Sequence, residues 1–146
     1  GPGELAYRLI LEDVASAAPA NSGATGMSIQ FRMRYDLPVL IAPTGPVVNA
    51  LQWQLCQPAA RPAATTAPEA CVRILNAGNR RVKVKTLTLS GDGWQQALEE
   101  KDGINILAGA QREWHIPLKA GQIGPPRGLQ VFTARGEMLQ AEASTF

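Results

Sequence analysis

Short apolar runs separated by glycine and proline are the feature that most narrows the folds open to this chain. Its 146 residues include 14 Gly and 11 Pro, which fall as punctuation between those runs. That spacing is typical of many short strands joined by turns. Long helices and coiled coils would need sustained Ala, Glu, Lys and Leu periodicity instead. We therefore predict an all-β protein.

Charge and hydropathy exclude two further classes of protein. The 14 Lys and Arg nearly balance the 12 Asp and Glu, so no electrostatically driven binding to nucleic acid is expected. No apolar run approaches the ~20 residues of a membrane-spanning helix, so no membrane insertion is expected. The sequence also does not open on a basic segment followed by an apolar core, so no signal peptide is expected there.

The first third of the chain predicts two strands. Residues 5–14 alternate, with Tyr7, Leu9 and Leu11 on one face, and the small polar residues 15–26 predict a flexible loop. Residues 27–35 then alternate large apolar with polar side chains, and the chain stays extended over 39–41. Pro38 cannot donate to a ladder, so this strand must lie at an edge or leave its sheet. The five alternating apolar residues are Met27, Ile29, Phe31, Met33 and Tyr35.

The remainder of the chain, after a domain boundary at 43–47, predicts an immunoglobulin-like β-sandwich. The inward phase of the apolar residues slips between Val84 and Leu87, which predicts a β-bulge near Lys85. Residues 95–103, QQALEEKDG, are the helix-like stretch. The predicted strands are 50–56, 71–77, 82–90, 104–108, 112–118, 129–134 and 137–144.

Two cysteines, Cys56 and Cys71, flank a Pro/Ala/Thr stretch that predicts an exposed loop. Each borders a strand-like run, and antiparallel neighbours would bring them together. We predict a disulfide, which would constrain the unfolded chain by about 3 kcal/mol and place the protein in an oxidising compartment. Two free buried thiols are the alternative. No metal is expected, because two Cys and the single His115 cannot complete a structural zinc site.

No motif in the sequence indicates catalysis. His115 lies between Trp114 and Ile116 in a strand-like segment, where a packing position is expected. It has no accompanying motif that supplies a nucleophile or an orienting carboxylate, and phosphate-loop and zinc-helix motifs are absent. We therefore expect no enzyme activity and no cofactor. An enzymatic interpretation would need a pocket that joins His115 to the loop carboxylates Asp92, Glu99, Glu100 and Asp102.

With catalysis not indicated, binding to another protein is the remaining kind of function, and the alternating segment 27–35 is the candidate for it. Its apolar face includes two methionines, which adapt to varied partners. Two interpretations are open. The segment either fills a core of its own chain, or it adds as a strand to another protein, where backbone pairing supplies affinity and alternate side chains fill a groove.

The order of these motifs resembles one family. YRLILEDV, a loop, and the alternating strand running into RYDLPVLIAP resemble the last two strands of the first domain of periplasmic pilus chaperones of chaperone–usher systems. The LPVLIAP ending is most similar to the archaic, spore-coat-U-type branch. LQWQL, VRILNAGNRRVKV and LAGAQREWHIPL resemble the second domain. Residues 1–43 would then belong to an incomplete N-terminal immunoglobulin-like domain, and 44–146 would form the C-terminal one.

The resemblance implies a periplasmic chaperone without ATP or catalysis. It would stabilise pilin subunits by donor-strand complementation and deliver them to an outer-membrane usher. Met27, Ile29, Phe31, Met33 and Tyr35 would be the donor side chains. Arg8 becomes a candidate anchor for the C-terminal carboxylate of the subunit, because Pro38 stands where the family carries a lysine. The alternative is a structural or adhesive immunoglobulin-like surface domain in which 27–35 is internal core.

The first domain departs from the family in length. An immunoglobulin-like domain takes about 100 residues, far more than the segment that precedes the boundary at 43–47. The resemblance therefore implies an N-terminal truncation, or strands supplied by another chain. Because a two-stranded hairpin is marginal alone, we expect the hairpin 5–42 to associate with a neighbouring molecule by strand swapping.

Overall fold

The structure, a computed structural model, describes residues 3–14, 31–57, 68–122 and 124–146. The predicted loop 15–26, the donor positions Met27 and Ile29, and most of the segment between the two cysteines lie outside these residues. Every regular element in the described ranges is a strand, so the all-β prediction is confirmed. No helix there has the length and apolar character to cross a bilayer. The strands are β1 Leu5–Glu12, β2 Arg34–Ile41, β3 Leu51–Cys56, β4 Glu69–Asn76, β5 Val82–Gly91, β6 Trp94–Ile106, β7 Gln111–Pro117, β8 Gly128–Thr133 and β9 Met138–Ala143.

The chain divides into two compact units. We call Leu5–Ile41 the two-stranded unit, and Ala42–Phe146 together with Glu4 the seven-stranded unit. In the two-stranded unit β1 and β2 pair antiparallel, with Leu9 opposite Leu37. In the seven-stranded unit the strand order is β6-β5-β8-β9-β3-β4-β7, antiparallel except for the β3–β9 pair.

The second predicted strand begins later than its sequence pattern suggested. Alternation predicted a strand from residue 27, whereas among the described residues β2 starts at Arg34. β1 ends at Glu12, and one further backbone bond follows, from Asp13 N to Met33 O at 3.0 Å. Met33 therefore continues the register of the pair by one bond, whereas Phe31 and Arg32 lie before the strand. The extension over 39–41 is confirmed.

The seven-stranded unit has a sandwich- or barrel-like arrangement consistent with an immunoglobulin-like fold. Its two outer strands approach each other, since the indole Nε1 of Trp114 on β7 donates to a carboxylate oxygen of Glu100 on β6 at 2.8 Å. Inward-facing residues of the strands form one core. Its largest fully buried apolar side chains are Ile74, Leu87, Leu89, Ile106, Ile116, Leu129, Val72, Val84 and Val131.

The predicted bulge on β5 is confirmed. The register of β5 shifts between Val84 and Thr86 against both of its neighbours. Because Lys85 is one extra residue in the strand, even-numbered side chains face inward before the bulge and odd-numbered ones face inward after it. As a result Val84 and Leu87 are both fully buried, although they are three residues apart.

The helix-like stretch 95–103 is part of strand β6, so that prediction is wrong. Residues 95–99 pair with β5, with Leu98 opposite Leu87, and Leu98 packs against the core. Intrinsic helix propensity amounts to tenths of a kcal/mol per residue, and a long antiparallel ladder with a buried face outweighs it. Opposite the bulge, Gly103 takes a φ of 71°, which a glycine tolerates.

Asn76 is fully buried at the end of β4. Its side-chain amide donates to the carbonyl oxygens of Arg80 at 2.8 Å and Ile106 at 3.0 Å. Its side-chain oxygen accepts from the N–H of Gly78 at 3.1 Å. These bonds satisfy a buried polar group and join the turn after β4 to the end of β6.

Candidate protein-binding surface

The register of β1 and β2 produces a sheet with one apolar face. Residues directly opposite each other in an antiparallel pair project to the same side, and side chains alternate along each strand. Every odd-numbered residue in the two strands is apolar, so all eight share one side, which we call the apolar face. Their exposed fractions run from 40% for Val39 to 56% for Tyr7. The apolar face consists of Leu5, Tyr7, Leu9, Leu11, Tyr35, Leu37, Val39 and Ile41.

The other side, the polar face, carries two ion pairs. Arg8 lies 3.1 Å from the carboxylate of Asp36, and Arg34 lies 2.9 Å from that of Glu12. All four side chains are at least two-fifths exposed, and such surface pairs typically contribute less than about 1 kcal/mol. They keep this face hydrated. The polar face consists of Ala6, Arg8, Ile10, Glu12, Arg34, Asp36, Pro38 and Leu40.

The outer edge of β2 is set by the same register. Because Asp13 N bonds Met33 O, residues of odd number in β2 direct their backbone groups toward β1. Residues of even number therefore direct theirs away from β1. We call the backbone groups of Arg34, Asp36 and Leu40 the outer edge. Pro38 occupies an outward position, where its missing N–H removes no bond to β1, and β2 is an edge strand as the proline predicted.

The predicted donor residues that the structure describes are exposed. Phe31 is 81%, Met33 58% and Tyr35 52% exposed. Tyr35 lies on the apolar face opposite Leu11, while Phe31 and Met33 immediately precede β2. The hydroxyl of Tyr35 lies 3.4 Å from the sulfur of Met33. These three side chains are thus available at the start of an edge strand.

Arg8, the candidate carboxylate anchor, lies opposite Pro38 with its side chain 73% exposed. Its guanidinium donates to Asp36, a partner that the sequence did not reveal. The pairing depends on the register of two strands separated by a long connection, which alternation along each strand leaves open.

The predicted disulfide is confirmed in the seven-stranded unit. Cys56 and Cys71 are directly opposite across β3 and β4, with their Cα atoms 5.0 Å apart. A carboxylate oxygen of Glu113 lies close to both sulfurs, but sulfurs bonded to each other do not offer thiolate ligands.

His115 occupies an outward position on β7, between the buried Trp114 and Ile116. Its Nδ1 lies 3.1 Å from a carboxylate oxygen of Glu69. An open cleft of about 600 Å³ beside the bulge is lined by Glu99, Glu100, Lys85, Lys101 and Phe132 among others, and His115 is not among its lining residues. Asp92 instead pairs with Arg127 at 2.7 Å. This cleft therefore does not join the histidine to the carboxylates, as an enzymatic interpretation would need.

Comparison with protein-family models finds no matching family, and no curated protein matches the chain. A function for the chain must therefore be argued from its own residues and their geometry.

Proposed function

We propose that the chain is a periplasmic chaperone that binds pilin subunits by lending them a strand. The observation that carries this proposal is the edge strand β2, which has outward backbone groups and the exposed apolar residues Phe31, Met33 and Tyr35 at its start. The protein would act by binding alone, without catalysis or a cofactor, and would pass its subunit to an outer-membrane usher.

The physical reason is that one added strand can remove both causes of aggregation in an incomplete subunit. A subunit that lacks a strand exposes an apolar groove and a row of unpaired backbone groups, and both promote aggregation. Strand addition pairs the backbone and fills the groove with alternate side chains in one step. Release would follow when the strand of another subunit replaces the lent one.

Pro38 sets the direction in which such pairing would extend. Outward N–H groups precede it at Arg34 and Asp36, and Pro38 itself offers none. A guest strand would therefore pair along the first half of β2 and toward Phe31. That part of the chain carries the predicted donor residues, with Met27 and Ile29 as its continuation in sequence.

The disulfide supports a periplasmic location. Cross-links of this kind persist in oxidising compartments such as the bacterial periplasm and are rare in reducing ones. The bond joins Cys56 and Cys71 in the unit that carries the core.

We expect Phe31→Asp to abolish the soluble one-to-one complex formed on co-expression with a cognate pilin. A charge in an apolar groove stays unpaired, and truncating a central anchor typically costs 2 kcal/mol or more, roughly a 30-fold loss of affinity. Affinity capture followed by gel filtration measures it. Val14→Asp, at an 89% exposed position of the same unit, is the control and should keep the complex. A complex that tolerates Phe31→Asp, or indifference of the native chain to pilins, would favour the adhesive or structural domain.

The role of Arg8 has its own test. We expect Arg8→Gln to weaken binding of a pilin about tenfold, the loss typical of a hydrogen bond to a charged group. Arg34→Gln, which breaks the other ion pair on the polar face, is the control. Titration calorimetry with a pilin whose C-terminal carboxylate is amidated should show no difference between Arg8→Gln and the native chain. A persisting difference would remove Arg8 as the carboxylate anchor.

A further inference from the structure

We propose that the apolar face binds the same face of a second copy of the chain, so that two two-stranded sheets pack face to face in a symmetric dimer. This interaction goes beyond subunit binding, because it uses a face of the sheet and needs no guest strand. Its occupant is a copy of the chain itself.

The starting point is the exposure of the apolar face. Its eight side chains include no charged group, and each is at least 40% exposed. Two-stranded sheets are marginal in water, and they become stable when a further layer covers their apolar side. The polar face does not need such a layer, because its four charged groups form ion pairs within one chain and face water.

The size of the face matches what a stable dimer requires. The two tyrosines of the face have about 200 Å² of side-chain surface each, and the six aliphatic side chains have about 130 Å² each, at roughly 32 Å² per methylene. With roughly half of this surface exposed, the face presents about 600 Å². Two copies would bury about 1,200 Å² together, which is the lower end of the range for specific interfaces. A second copy supplies a face of equal area and equal apolarity, and a two-fold axis lets one surface serve both partners.

Face-to-face packing also leaves the outer edge of β2 free. Sheets pack about 10 Å apart across their side chains, whereas the backbone groups of Arg34, Asp36 and Leu40 project in the plane of the sheet. The dimer is therefore distinct from strand swapping, which would pair those groups. The edge backbone would stay open to a guest strand, whereas the side chain of Tyr35, which lies on the apolar face, would be covered, so dimerisation and subunit binding would compete for that residue.

The aromatic residues give each unit a separate optical signal. The chain contains two tyrosines, Tyr7 and Tyr35, and both lie on the apolar face. Its three tryptophans, Trp53, Trp94 and Trp114, all lie in the seven-stranded unit. Tyrosine signals thus report on the face, and tryptophan signals report on the folding of the other unit.

The test compares Leu9→Lys with Ile10→Lys in the full chain. These neighbouring residues are 47% and 45% exposed and lie on opposite faces. Sedimentation equilibrium should show the native chain and Ile10→Lys at twice 15.6 kDa at micromolar concentration. Leu9→Lys should be a monomer, with dimerisation weakened roughly 100-fold, because the lysine would be buried unpaired. Tryptophan fluorescence identical in all three proteins shows that the seven-stranded unit is folded.

A second measurement locates the contact. Mixing isotope-labelled and unlabelled chains should give intermolecular contacts between Leu, Val and Tyr side chains of the apolar face, while the amides of Arg34, Asp36 and Leu40 exchange rapidly. A monomeric native chain, a dimer that survives Leu9→Lys, or protected edge amides would each overturn the proposal. Because no pilin is present, these outcomes are independent of the chaperone proposal.

Discussion

Gly78→Ala is expected to destabilise the seven-stranded unit by about 3 kcal/mol, which is the upper range for overpacking combined with loss of a backbone hydrogen bond. A Cβ at this position would overlap the carbonyl oxygen of Val48 and lie 3.0 Å from the backbone nitrogen of Ala50. Both obstacles are main-chain atoms, which cannot move aside as a flexible side chain would.

The backbone around Gly78 is also held by hydrogen bonds. Its N–H donates to Ala50 O at 3.1 Å, and the N–H of Asn79 donates to Val48 O at 3.1 Å. Asn79 O in turn accepts from Glu4 N at 2.7 Å. Moving the turn to admit a methyl group would stretch these bonds together, so the strain cannot be relieved at one place.

Urea unfolding followed by tryptophan fluorescence measures the effect of Gly78→Ala. Gly45→Ala is the matched control, because a Cβ at Gly45 meets nothing within 4 Å. It should leave the free energy of unfolding within about 0.5 kcal/mol of the native value, as surface changes usually do. Equal midpoints for the two variants would show that the turn yields without cost.

Removal of the disulfide should have an effect of similar size. The double variant Cys56→Ala/Cys71→Ala is expected to lose about 3 kcal/mol, because the bond closes a loop between residues 15 apart and restricts the unfolded chain. For a unit of this size that loss lowers the Tm by roughly 10–20 °C. Differential scanning calorimetry at neutral pH measures it.

A reducing agent supplies the control for the double variant. It should lower the Tm of the native chain to about that of the variant and leave the variant unchanged. Tyrosine near-ultraviolet dichroism, which reports on the two-stranded unit, should be unaffected in both cases. A variant as stable as the oxidised native chain would mean that the strand pair β3–β4 is held by its packing, with no contribution from the cross-link.

The two units therefore have different roles in the proposals made for this chain. The seven-stranded unit contains the buried core and the disulfide, and its variants are expected to change stability. The two-stranded unit presents exposed apolar side chains, and among its described residues neither strand has a second neighbour, so its variants are expected to change association. Substitutions in one unit can thus be checked against the optical signal of the other.

Much of the fold could be predicted because strand formation leaves local traces in a sequence. Period-two alternation and glycine-rich turns located the strands of the larger unit, except β6, to within a few residues, and the slipped phase around Lys85 located the bulge. The disulfide was also predictable, because each cysteine bordered a strand-like run. The helix prediction for residues 95–103 was wrong because it also used only local information. Their side chains favour a helix, but pairing with β5 outweighs that preference.

Local pattern alone therefore predicted the fold class, most of the strands and the cross-link, since period-two alternation and the strand-like runs beside the two cysteines can be recognised within short segments of the chain. Only the tertiary structure decided the register of β1 against β2, which gathers eight apolar side chains on one face and pairs Arg8 with Asp36. It alone also showed that Asn76 is a buried hydrogen-bonding centre and that Gly78 faces the main chain of Val48. These features join residues far apart in the chain, and a slip of one position would reverse every face without altering the alternation of either strand.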